Sequence, residues 1–230
     1  MDSLYNTSII GYISSPFKEK FGIPRQPGIN STIESKICLE KEFSSEECVR
    51  GLENFSHIWV IFKFHENVSK GWSNLVRPPR LGGNKKVGVF ASRSPFRPNF
   101  TGISVVKLLK IEVGINTVIT ISGGDFMDKT PVIDIKPYIL YSDSIEDAVC
   151  KDFELKPQKK LVVTFSDKAK AVCMDYEGLE NKLSDILSYD PRPAYYNNDR
   201  DKECGMKFDR FDIRFKVCKD ILNIQEIIKL

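Results

Sequence analysis

Apolar and polar positions alternate along much of the chain, and the alternation has the two-residue period of strands rather than the period of helices. Phe211, Ile213, Phe215 and Val217 interleave with Asp212, Arg214 and Lys216, which predicts a half-buried strand. HIWVIFKF at 57–64 is aromatic and β-branched, so it predicts a buried one. Short stretches of similar character stand at 8–13, 33–39, 87–90, 103–112, 117–122, 131–139 and 159–165, and IQEIIKL closes the chain as another. Gly, Pro and Asp punctuate the gaps between them. Helical signals are fewer. One covers 45–54, with Ser45 as N-cap and Glu46 and Glu47 in the first turn. The other is LENKLSDIL at 179–187, which sets Leu179, Leu183, Ile186 and Leu187 on one face. The expected fold is therefore mainly β: an N-terminal β-barrel over 1–145, a charged junction at 146–158 and a small C-terminal α+β domain over 159–230.

Length agrees with two units, since 230 residues at about 150 per domain hold one full domain and a smaller one. A content of 41% hydrophobic and 28% charged residues, with 15 Phe and 8 Tyr, excludes wholesale disorder. No heptad or longer repeat is present, which excludes fibrous and solenoid folds. No apolar run approaches the ~20 residues that cross a bilayer, and the N-terminus MDSLYNTSIIGY lacks a basic flank and a cleavage site, so a soluble cytoplasmic protein is expected. Cys38, Cys48, Cys150, Cys173, Cys204 and Cys218 are widely spaced with no C-x-x-C, and free thiols are expected. With only His57 and His65 to join them, no metal is expected.

The net charge of +3 conceals an uneven distribution. Between Glu66 and Asn99 stand Lys70, Arg77, Arg80, Lys85, Lys86, Arg93 and Arg97 against Glu66 alone, with Trp72, Phe90 and Phe96 among them. Cations for phosphates and rings for unpaired bases are the components of a nucleic-acid surface. A solvated basic loop has the same composition.

Three loops are dense in Arg, Pro and Gly: FGIPRQPG (21–28), RPPRLGGNKKVGVFASRSPFRPN (77–99) and DPRPAY (190–195). Each alone reads as a structural turn, whereas together they point to a rigid pocket for an anion or nucleotide. Gly82-Gly83 belongs to neither a Walker nor a Rossmann fingerprint. His65-Glu66 closes a strand, either as an acid/base pair or as a structural strand end. Asp125, Asp128 and Asp134 flank a Thr130-Pro131 turn, where ligand contacts or turn caps fit better than a divalent metal.

Those three loops, with QPG at 26–28 in the first, and the segment DFMDKTPVIDIKPY at 125–138 closely resemble the TsaA-like family across both expected domains. The resemblance implies a β-barrel methyltransferase that uses S-adenosylmethionine without a Rossmann fold and is usually a homodimer. Characterised bacterial members act on N6-threonylcarbamoyladenosine beside the tRNA anticodon, which makes the anticodon loop the expected partner. Carried over by motif, the donor is expected against Gln26, Pro27, Gly28, His65, Glu66, Arg93, Ile103, Asp128, Lys129, Thr130 and Pro131. The sequence departs from the family pattern at Lys129, where Gly is usual, and at Phe100-Thr101, which replace Pro-Ile.

By chemical analogy the DPRPAY loop is the expected substrate side: Asp190 accepts a proton or hydrogen bond from the amine, Arg192 binds phosphate or the threonine carboxylate, and Tyr195 stacks. Arg77, Arg80, Lys85, Lys86 and Arg97 are the expected RNA contacts. Two other classes remain open, a non-catalytic RNA-binding barrel and a methyltransferase acting on a small molecule. The basic segment disfavours the second.

Overall fold

The computed structural model describes residues 7–78, 85–151, 158–192 and 202–230. Its first part is a closed antiparallel barrel built from β1 (Gly11–Ser14), β2 (Glu34–Leu39), β3 (His57–Lys63), β6 (Thr101–Glu112), β7 (Val118–Ser122) and β8 (Pro131–Pro137). Around the barrel the order is β1-β2-β7-β6-β3-β8, and β8 pairs back onto β1. Closure leaves no free strand edge, which removes the main aggregation hazard of a six-stranded sheet. The alternation seen in the sequence sets the inside: Ile13, Ile37, Ile58, Val60, Ile119, Ile121 and Val132 are all buried there. Each such side chain contributes about 1.5–3 kcal/mol through burial. Gly102 on β6 lies against the Phe62 ring, where a Cβ would stand only 2.3 Å from it, and Phe62 in turn meets Phe126 edge-on at 5.0 Å.

Two short strands, β4 (Leu75–Val76) and β5 (Val87–Gly88), form a separate ribbon beside the barrel. The expected strand at 87–90 ends at Gly88, because Val89–Ala91 turns into a single 3₁₀ turn. The expected helix at 45–54 is also shorter. Only α1 (Glu46–Val49) forms, Ser45 makes no side-chain cap, and Gly51 at φ 86° breaks the chain into a 3₁₀ turn over Leu52–Asn54. A further short helix, α2 (Leu140–Asp143), follows β8.

The C-terminal unit is a four-stranded sheet in the order β10-β11-β12-β9, formed by β9 (Val162–Phe165), β10 (Cys204–Phe208), β11 (Phe211–Cys218) and β12 (Ile221–Lys229). Strand β9 runs parallel to β12, and the crossover between them contains α3 (Asp167–Met174) and α4 (Leu179–Leu187). Helix α4 buries the four residues its spacing predicts, Leu179, Leu183, Ile186 and Leu187. They pack in one core with Ile213, Phe215, Leu222 and Ile224.

The two units interlock through the segment between β1 and β2. Phe17 and Ile33 belong to the core of the C-terminal unit, not to that of the barrel. Phe17 meets Phe208 edge-on at 5.6 Å, Phe21 stacks on Phe215 at 6.3 Å, and the Asp209 amide donates to the Pro16 carbonyl at 2.6 Å. The loop carrying Gln26-Pro27-Gly28 is thereby stretched between both cores. Among the described residues, no helix is long and apolar enough to cross a membrane.

Candidate active site

A cavity of about 510 Å³ opens at one end of the barrel. Gln26 and Pro27 reach it from the β1–β2 segment, and His65 and Glu66 from the 3₁₀ turn His65–Lys70 that follows β3. Arg93 enters from the loop after Val89–Ala91, Ile103 from β6 and Thr130 from the turn before β8. Five separate pieces of chain therefore converge on one hollow. Arg93 Nη1 donates to Gln26 Oε1 at 2.5 Å, closing one wall. Gly28 holds the loop from behind, its amide donating to the Gly123 carbonyl at 2.8 Å. Both glycines have positive φ, 74° and 76°, which lets the two backbones approach. Lys20 Nζ ties the same loop to the opposite wall through the Glu66 carbonyl at 3.2 Å and Asn67 Oδ1 at 3.1 Å. His65 Nε2 and Glu66 Oε1 stand 3.8 Å apart at the rim.

The turn at 128–131 is only partly in this cavity. Asp128, Lys129 and Pro131 lie outside its lining, while Thr130 is within it. Asp128 faces the protein: its Oδ1 accepts from the Ser15 amide at 2.9 Å and its Oδ2 pairs with Lys18 Nζ at 2.9 Å. Lys129 has φ 62° and an exposed side chain, and its amide donates to the Ile13 carbonyl at 2.8 Å. The backbone thus keeps the left-handed bend that Gly would adopt without strain.

Asp125 faces the cavity beside Thr130. Ser104 Oγ, on β6, donates to its Oδ1 at 2.6 Å. Burial pushes the Asp125 carboxyl up to about 6, outweighing the hydrogen bonds from Ser104 and from its own backbone and the charge of Arg93. The three aspartates of this region do not converge, since Asp128 turns to Ser15 and Asp134 Oδ1 accepts from the Ile135 amide. Among the described residues no cluster of His, Cys, Asp and Glu is arranged to hold a metal. Sequence spacing did not reveal which aspartate faces inward. Lys20, Phe62 and Phe64, which also line the cavity, carried no sequence signal for it.

Beside this hollow lies a broader cleft of about 1130 Å³. Its walls include Lys70, Trp72, Arg77, Lys86, Phe90 and Phe96, and it shares Arg25, Gln26, Ser92, Arg93 and Pro95 with the smaller cavity. Phe90 is 78% exposed and Trp72 52%, so flat apolar faces are presented between cations. Lys85 is exposed next to Lys86, and Arg80 lies outside the described residues. Arg97 lines the smaller cavity, where its Nη1 donates to the Ser92 carbonyl at 2.7 Å and the Val89 carbonyl at 3.3 Å, fixing the loop's shape.

In the DPRPAY loop, Asp190 and Arg192 answer each other. Arg192 Nε donates to Asp190 Oδ1 at 2.8 Å and Nη2 to Oδ2 at 2.9 Å, a bidentate pair with side chains 10% and 15% exposed. Neither residue lines either cavity. The Arg192 carbonyl accepts from Arg25 Nη2 at 3.4 Å, which links this loop to the Gln26 segment. Tyr195 lies outside the described residues.

Comparison with known proteins covers both units. Residues 12–144 match the tRNA-methyltransferase O N-terminal domain, and residues 158–230 match the C-terminal domain of the same family. A tRNA (adenine(37)-N6)-methyltransferase of Escherichia coli is 39% identical over 214 residues, covering 90% of this chain and 91% of that protein. A provisionally named S-adenosylmethionine-dependent methyltransferase of Pseudomonas aeruginosa is 35% identical over 229 residues, 97% of each chain. The crystal structure of TrmO from Pseudomonas aeruginosa superposes with a TM-score of 0.81 at 30% identity, over 97% of this chain and 98% of the other. With its barrel and its C-terminal sheet unit each matched, and in this order, this chain belongs to the tRNA-methyltransferase O family.

Proposed function

We propose that this chain is an S-adenosylmethionine-dependent methyltransferase acting on tRNA at the adenine-37 N6 position, and that the nucleoside it methylates there is N6-threonylcarbamoyladenosine. The observation that carries this reading is the pair of adjoining cavities that share the Gln26–Arg93 wall. The smaller has the volume of a nucleoside-sized ligand site and contains a half-buried carboxylate suited to a cationic donor. The larger has cations and open aromatic faces suited to single-stranded RNA.

S-adenosylmethionine, when bound, supplies a methyl group already activated on sulfur. The protein's task is then placement more than acid/base chemistry. Gln26, Pro27, His65, Glu66, Arg93, Ile103 and Thr130 hold the donor, while Gly28, Asp128, Lys129 and Pro131 hold the backbone that shapes its cavity. Arg77, Lys85, Lys86 and Arg80 take phosphates, and Trp72, Phe90 and Phe96 receive unpaired bases. An anticodon loop presents its bases without the cost of opening a duplex. Arg25 and Arg93 on the shared wall supply cations for the threonyl carboxylate of the substrate. Asp190 and Arg192 act as positioning residues: their mutual pair fixes the carbonyl that receives Arg25.

Incubation with methyl-labelled S-adenosylmethionine and total tRNA tests the proposal. Label is expected in a tRNA adenine nucleoside. Protein that binds the donor yet leaves tRNA unlabelled would move the activity to another substrate.

A further inference from the structure

We infer that Asp125 is the seat of the donor's positive charge: its carboxylate, anchored by Ser104 in the wall of the barrel cavity, pairs with a cationic group of the sulfonium amino-acid nucleoside. This rests on the reading of that cavity as the donor site.

The charges around Asp125 explain why. The cavity is lined by five cations, Lys20, Arg25, Lys63, Arg93 and Arg97, and a positively charged ligand entering among them needs an anion. Every one of the five already has an acceptor. Lys20 donates to the Glu66 carbonyl and Asn67, Arg25 to the Arg192 carbonyl, and Lys63 to the Asn99 carbonyl at 2.9 Å. Arg93 donates to Gln26, and Arg97 to the carbonyls of Val89 and Ser92. Among the described residues Asp125 forms no ion pair, and its one side-chain donor is the neutral hydroxyl of Ser104. Glu66, the other carboxylate of the lining, is 53% exposed beside His65, where water screens it. Asp125 is half-buried, so its charge is costly alone and strongly attractive to a cation.

The other titratable and charged groups of the same lining are Arg93 and Arg97 from the basic loop, Lys63 from β3, His65 and Glu66 from the following turn, and Lys20 and Arg25 from the β1–β2 segment, and of these the Arg93 charge acts on the Asp125 carboxyl. A carboxyl that titrates at about 6 is protonated in acid, and a cation must then displace that proton. Donor affinity is therefore expected to fall by about tenfold between about pH 7.5 and about pH 5.

Calorimetry on the full chain with S-adenosylmethionine and with S-adenosylhomocysteine tests the inference. Asp125→Asn is expected to bind S-adenosylmethionine at least about tenfold more weakly at about pH 7.5 and to lose the pH dependence. A loss confined to S-adenosylmethionine assigns the sulfonium as the paired group, and an equal loss for both ligands assigns the α-ammonium. Ser104→Ala keeps the carboxylate but removes the hydrogen bond that favours its charged form, so the midpoint of the wild-type pH profile should move upward; a midpoint that stays in place would overturn the assignment of the pH dependence to Asp125. A folded Asp125→Asn protein that binds S-adenosylmethionine within about twofold of wild type overturns the inference, as does a wild-type affinity that is flat with pH. Wild-type protein that binds neither nucleoside overturns instead the reading of the cavity as the donor site.

Discussion

At the scale of single residues, this site is governed by which polar groups are already satisfied. Asp125 is hydrogen-bonded by Ser104 but, among the described residues, forms no ion pair, and the consequence for stability has a definite sign. Its folded pKa of about 6 lies above the ordinary 3.8, so its favourable contribution is fully present only below about pH 4 and is lost as pH rises through about 6. Asp125→Asn is therefore expected to melt at a higher temperature than wild type at about pH 7.5, with the difference disappearing at about pH 4; a lower melting temperature at neutral pH would contradict the burial argument. Asp190 and Arg192 are the opposite case, since each satisfies the other. Arg192→Lys cannot reproduce the two-pronged pair, so it is expected to lose turnover nearly as far as Arg192→Ala, and Arg25→Ala should share part of that defect. Full rescue by Lys in steady-state kinetics would mean that charge alone matters. Lys129 occupies a left-handed bend at φ 62°, and Lys129→Gly should stabilise the chain by roughly 0.5–1 kcal/mol in urea titration, the relief of strain exceeding the added chain entropy. The motif likeness named Lys129 as a departure from the usual Gly. It did not show that Asp128 beside it points inward to Ser15 and Lys18, because side-chain direction depends on partners more than 100 residues away in sequence.

At the scale of elements, alternation was legible wherever it ran for several residues. Strands β3 and β11 could be read directly, since every second side chain is buried in each. Helix α3 could not, because only Ala169 and Cys173 of Asp167–Met174 are buried, too few to draw a stripe. Strand β10 was missed for a similar reason: Met206 and Phe208 are its only fully buried residues, and two positions make no pattern. The loop from Lys70 to Arg97 was legible by charge, but its division of labour was not. Arg97 is bound to carbonyls of its own loop, whereas Arg77 and Lys86 line the open cleft. Arg77→Ala with Lys86→Ala should thus weaken tRNA binding and flatten its salt dependence by about 0.7–0.9 per lost phosphate contact, with donor affinity unchanged. An unaltered salt slope would make this cleft wall a bystander.

At the scale of the whole molecule, the barrel and the sheet unit are joined by the very segment that walls the smaller cavity. Phe17 is fully buried in the core of the second unit while the barrel strand β1 ends three residues earlier. Phe17→Ala should cost about 3–5 kcal/mol in denaturant unfolding and weaken donor binding as well, because Gln26 and Pro27 lose their anchor. A stability loss with intact donor affinity would show that the cavity is held by the barrel alone. The proposed function has the two adjoining cavities bring a methyl donor to a modified adenosine beside the anticodon. It is tested most directly by offering the protein two otherwise identical tRNAs, one with N6-threonylcarbamoyladenosine at that position and one with plain adenosine, together with methyl-labelled S-adenosylmethionine, and identifying the labelled nucleoside by mass spectrometry. Label is predicted on the N6-threonylcarbamoyladenosine of the first tRNA and absent from the second. Equal labelling of both, or label at any other nucleoside, would contradict it.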